Sequence, residues 1–124
     1  MKKRLLPVLL AALLLGVFAQ TQVPEFMLIT TVESLGTGVQ GHSRMITTDS
    51  QGKVSEVSLS NFYGFTGINF ENVRQNNLII TDKVNDLARK GWELLQVTSA
   101  AESSDKTTGI FITRYIFKRN PEAK

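Results

Sequence analysis

Two apolar runs near the C-terminus, Trp92-Glu93-Leu94-Leu95-Gln96-Val97 and Ile110-Phe111-Ile112-Thr113-Arg114-Tyr115-Ile116-Phe117, flank the loop Ala101–Gly109. Aromatic and β-branched residues on both sides of a polar loop predict an antiparallel β-hairpin. A register with Ala101 opposite Ile110 sets Glu93 beside Lys118, a cross-strand pair contributing about 0.2–1 kcal/mol. It also places Trp92, Leu94, Phe111, Tyr115 and Phe117 on one side and Leu95, Val97, Ile110, Ile112 and Ile116 on the other. Both sides are apolar, whereas a sheet with one face in water alternates apolar with polar. The fold must therefore rest something on each face of this hairpin.

One cover lies directly upstream. In the segment 81–91, Thr81 or Asp82 is placed to cap a helix N-terminus, Val84, Leu87 and Ala88 recur at helical spacing, and Arg89 and Lys90 suit the negative C-terminal end. Gly91 ends the helix because it enters the left-handed region without a Cβ clash. Trp92 then begins the next strand, where its indole fills the angle between helix and sheet. A helix of about three turns covers one face of the hairpin only.

Further upstream, Phe26–Ser34 is β-branched and apolar and predicts a first strand. Residues 42–60 form two extended runs around Asp49-Ser50-Gln51-Gly52, a second hairpin with Gly52 supplying the positive φ. Residues 61–77 show no clean period and carry Phe62, Tyr63, Phe65 and Phe70. They read as a long structured connection, first choice to cover the second face, with another copy of the chain or a different partner as alternatives. The expected class is α+β: an antiparallel sheet of about five strands with one helix packed on a face, in the order β-β-β-α-β-β.

The step Gly91-Trp92-Glu93 after a helix, and the final strand closing in Tyr115-Ile116-Phe117-Lys118-Arg119, resemble a small bacterial family known as domain of unknown function 4177. The resemblance spans residues 81–119. It implies a compact α+β domain with an antiparallel sheet and one helix, and brings no catalytic residues to transfer. The connection 61–77 departs from the family pattern.

The N-terminus carries Lys2, Lys3 and Arg4, then fifteen residues from Leu5 to Ala19 broken only by Pro7 and Gly16. Such a run falls short of the roughly 20 residues of a spanning helix. With a small residue at Ala19, it reads as a cleavable export signal, 1–19, before a single domain, 20–124. The expected location is the bacterial periplasm or exterior, with membrane contact only through the signal before cleavage. The whole chain has 14 Lys plus Arg against 11 Asp plus Glu. Loss of the signal brings the two to parity, which removes the basic footprint of a nucleic-acid binder. There is no cysteine, so the exported fold stands on its apolar core without disulfides.

Legible chemistry is sparse. Residues 36–41, Gly-Thr-Gly-Val-Gln-Gly, match a dinucleotide fingerprint formally, and Glu56 lies at a ribose-binding offset. No helix follows to offer its N-terminus to a pyrophosphate, so the stretch reads as an inter-strand loop. His42 is the single histidine, which excludes the common zinc sets. A triad of a serine, His42 and Asp49 lacks a nucleophile elbow. Asp82 and Asp86 read as complements to the positive helix N-terminus. The expectation is a domain with no catalytic, cofactor or metal residues: an exported binding or assembly module acting through an unidentified protein partner or self-association. A small-ligand binder using the 62–70 aromatics ranks second and a hydrolase last. The candidate contact residues are Phe62, Tyr63, Phe65, Phe70, Phe111, Tyr115 and Phe117.

Overall fold

The structure, a computed structural model, describes residues 22–36, 42–103 and 109–121. The expected export signal and most of the glycine stretch 36–41 lie outside them. In chain order the elements are β1 Glu25–Ser34, β2 Arg44–Thr48, β3 Val54–Ser58, a two-strand ribbon of β4 Tyr63–Gly64 and β5 Gly67–Ile68, helix α1 Phe70–Arg89, β6 Glu93–Ser103 and β7 Gly109–Arg119. Strands β3-β2-β1-β7-β6 form one five-stranded antiparallel sheet in that order. The expected α+β class is what forms, with the ribbon β4–β5 as an addition.

The β2–β3 turn follows from its residues. The Asp49 carboxylate accepts hydrogen bonds from the backbone N–H groups of Gln51 (2.9 Å) and Lys53 (2.8 Å), and Gly52 takes φ +80°. A short acid that pairs with its own turn and a glycine in the left-handed region are what a tight turn requires.

The helix departs from expectation. It starts at Phe70, so residues 70–77 of the presumed connection 61–77 are helical, and Asn69 is the N-cap, its side-chain oxygen accepting from the N–H groups of Glu71 (3.1 Å) and Asn72 (3.2 Å). Thr81 and Asp82 stand in mid-helix, exposed, and Ala88 faces solvent. The inward stripe is Val73, Asn76, Ile80, Val84 and Leu87, at steps of three and four residues, with Asn76 and Leu87 buried and the other three half-buried. One polar member, Asn76, breaks the apolar period and hides the first half of the helix from sequence inspection.

The C-terminal end of α1 behaves as expected. Gly91 takes φ +81°, its N–H donates to the Ala88 carbonyl (3.1 Å), and the Trp92 N–H donates to the Leu87 carbonyl (3.0 Å). These are the paired bonds of a Schellman closure, and they bring Trp92 back onto Leu87. Both residues belong to the core with Ile29, Met45, Leu59 and Phe117, against which Met27, Ile79, Ile80, Val84 and Tyr115 pack. Arg119 clamps the junction from the end of β7. Its guanidinium lies 4.4 Å from the Trp92 ring centroid, bonds the Lys90 carbonyl (3.3 Å) and holds Glu25 through two nitrogens (2.8 and 3.1 Å).

The β6–β7 hairpin keeps Glu93 opposite Lys118 and Leu94 opposite Phe117, then slips at Leu95, so that Ala101 faces Phe111 rather than Ile110. The slip is a bulge of one residue, and such a bulge reverses the side-chain alternation beyond it. Val97 consequently pairs with Tyr115 and joins the helix-covered face instead of the Ile112 face.

Candidate interaction surface

The pairing registers assign every sheet residue to a face. Ile29, Thr31, Met45, Thr47 and Phe117 lie under α1 and are buried. On the opposite face Leu28, Val32, Ile46, Ile112 and Ile116 adjoin one another across β2, β1 and β7. All five are only half-buried, and Phe26 and Val54 at the margin are exposed. Segment 61–77 does not cover them, contrary to the expectation: Asn76 of α1 bonds Glu33, and Phe62 meets Phe111 at 5.8 Å between centroids, both on the helix-covered face. The expectation that both faces of the hairpin are covered within one chain therefore fails among the described residues.

At the middle of this open face stands Arg114, exposed, with Ile112 and Ile116 two residues away on β7 and Thr30 and Thr98 directly opposite on β1 and β6. It has no ion pair among the described residues; the neighbouring cation Arg44 is held by Glu56 at 2.8 Å. With strands rising ~3.3 Å per residue and lying ~4.8 Å apart, the part of β2, β1 and β7 that holds these apolar residues measures roughly 240 Å², within a whole sheet face on the order of 600 Å².

The seven candidate aromatics do not form one site. Phe117 is 1% exposed and belongs to the core, which leaves it no contact surface, and Tyr115 packs half-buried against that core. Phe62 and Tyr63 are half-buried, and Phe62 tilts against Phe111. Phe65, at the turn of the β4–β5 ribbon, is 95% exposed, and Phe70 on the first turn of α1 is also exposed. Two crevices of about 270 Å³ lie elsewhere, one along His42–Arg44 and Glu56–Leu59 and one beside Trp92, and neither is lined by an aromatic from 62–70.

The sparse polar candidates are also dispersed. His42 precedes β2 and Asp49 follows it, so the strand separates them, and Asp49 is engaged in its turn. Asp86 pairs with Lys90 at 2.7 Å near the helix C-terminus, which holds its carboxyl below the usual range. Asp82 and Asp86 thus do not serve the helix N-terminus, where Glu71 stands instead. Among the described residues no three acidic or histidine side chains assemble as a metal-binding group. No helix among them is long and apolar enough to cross a membrane.

One polar junction escaped sequence inspection. Asn76, fully buried, accepts from the Ser60 N–H (2.8 Å) and donates to the Ser60 carbonyl (2.8 Å) and to Glu33 (3.1 Å). Burial pushes the Glu33 carboxyl above its ordinary value, and the Asn76 hydrogen bond offsets this only in part. Burial, and then the nearby Glu33 charge, likewise raises the Tyr115 phenol. A carboxyl raised on folding favours the native state most below its unfolded pKa. That contribution is lost as pH rises through the folded value. Glu33→Gln is accordingly expected to gain melting temperature over the parent at pH 7 and to lose most of that advantage at pH 4. Thermal unfolding at the two pH values checks it, and an equal offset at both would refute the assignment.

A scan against protein-family models and a search of curated proteins each return no match to this chain.

Proposed function

We propose that this chain is an exported, non-catalytic contact module whose open sheet face docks a protein partner. The observation that carries the proposal is the set of half-buried apolar residues, the cross-strand pairs Leu28–Ile116 and Val32–Ile112 together with Ile46, that flank Thr30 and Arg114 and that no described element buries. Patches of a few hundred Å² are the size at which exposed apolar surface marks interaction sites. Arg114 in its centre adds a chemical requirement: the partner brings a carboxylate among apolar side chains, because a cation enclosed without a counter-charge costs more than the contact returns. A centred two-fold pairing would set Arg114 against Arg114, which weighs against self-association on this face.

Kinship with the family known as domain of unknown function 4177 belongs to the same proposal. It is supported by the joint task of the residues that carry the resemblance: Gly91 closes the helix, Trp92 fills the junction, and Arg119 stacks on Trp92.

The test uses residues 20–124 immobilised and challenged with bacterial envelope extract, beside light scattering of the same protein. A retained protein that is lost on Ile112→Glu and weakened by Arg114→Glu, at unchanged melting temperature, is the expected result. A monomer that retains nothing, or a complex indifferent to both substitutions, overturns the proposal.

A further inference from the structure

Between the C-terminal half of α1 and the β2–β3 hairpin, on the helix-covered side of the molecule, lies the second crevice of about 270 Å³. Its apolar walls are Met27, Leu87 and Trp92, all members or neighbours of the core. Three lysines line it from two separate parts of the chain: Lys53 from the β2–β3 turn, Lys83 from the helix and Lys90 from its C-cap. Lys90 is held by Asp86. Lys53 and Lys83 have no carboxylate within ion-pair distance among the described residues. The Asp49 carboxylate also borders the crevice but is engaged by two backbone N–H groups of its own turn.

Lysines near a helix C-terminus compensate the end charge of that helix, which accounts for Lys90. It does not account for Lys53, which sits on another element and faces the same opening. Like charges drawn to one concavity repel each other, and an anion placed between them relieves that repulsion.

We infer that this crevice binds a small organic anion, its carboxylate or phosphate head between Lys53 and Lys83 and its apolar body against Trp92 and Leu87. The volume lies just below the ~300 Å³ at which small-molecule pockets begin, so the body is a short acyl chain or a single ring. The inference is independent of the open-face proposal, because the two surfaces lie on opposite sides of the sheet.

Trp92 is the single tryptophan, so its emission reports on this site alone. Octanoate and octyl phosphate serve as probes, with octan-1-ol as the uncharged control. A saturable emission change with either anion is expected, with octan-1-ol and the double variant Lys53→Gln/Lys83→Gln each at least about tenfold weaker, given the strength of charge-assisted hydrogen bonds. Response to octanoate alone assigns the head as carboxylate, and response to octyl phosphate alone assigns it as phosphate. Both substitutions are on surface side chains, and the melting temperature of the double variant verifies that the fold persists. Three results overturn the inference: no saturation with either anion, equal binding of octan-1-ol, or binding that survives the lysine substitutions but is lost in Ile112→Glu.

Discussion

Trp92→Ala is expected to lower the stability of the domain by about 3–5 kcal/mol, the usual cost of truncating a buried aromatic. That is a large fraction of the ~5–15 kcal/mol by which domains are stable at all. The residue is 6% exposed and shares the core with Leu87 and Phe117. Its loss reaches further than its own area. The Arg119 guanidinium stacks on the indole while holding both Glu25 and the Lys90 carbonyl, so truncation unseats the group that ties the helix end to the first and last strands. Trp92→Phe keeps a ring under Arg119 and is expected to recover more than half of the deficit. Urea denaturation followed by circular dichroism measures both variants without relying on tryptophan emission. A Trp92→Ala midpoint close to that of the parent would remove Trp92 from its place at the centre of the fold.

Gly91 and Trp92 were legible in the sequence because their local chemistry does not depend on distant partners. A glycine after a helical run has one favourable use there, and its N–H and that of Trp92 bond carbonyls only a few residues back. The Asp49–Gly52 turn is readable on the same grounds. The start of α1 was not, because it depends on a partner that the sequence does not display. Asn76 occupies a position in the inward stripe that periodicity reserves for an apolar residue, and only the Ser60 backbone and Glu33 make an amide acceptable there. The Asn69 cap is a signal in the sequence, with Glu71 in the following turn, but the surrounding aromatics mask it. The bulge at Leu95 lies beyond sequence inspection for a different reason. A one-residue slip leaves composition unchanged yet exchanges the faces beyond it, which is why Val97 went to the wrong side. Of the candidate contacts, Phe117 is buried and Tyr115 packs half-buried against the core, because an aromatic on a central strand satisfies the core before it can serve a partner. The apolar Ile110, Ile112 and Ile116 side was correctly separated from Phe117, but its cover was assigned to a segment that the Asn76 junction draws to the other face.

That junction yields the second large effect. Asn76→Ala is expected to cost about 3 kcal/mol, because it leaves the N–H and C=O of Ser60 without the amide that pairs with both and opens a small void beneath the helix. A general packing defect would give a similar loss, so the discriminating variant is Asn76→Asp. The new side chain is nearly isosteric and still accepts from the Ser60 N–H, but it cannot donate to the Ser60 carbonyl when ionised. It also places a second carboxylate beside Glu33, whose own carboxyl burial already disfavours in the charged form. Two neighbouring acids in that setting hold a proton between them, which raises the folded pKa above the unfolded value. The variant should therefore be strongly destabilised at pH 7 and regain much of the loss as pH falls toward 4, whereas Asn76→Ala should carry a deficit nearly independent of pH. Adding Glu33→Gln to Asn76→Asp restores a donor opposite the new carboxylate and is expected to flatten the pH dependence. Parallel pH profiles for the three variants would show that Asn76 fills space beneath α1 without organising the charge of Glu33.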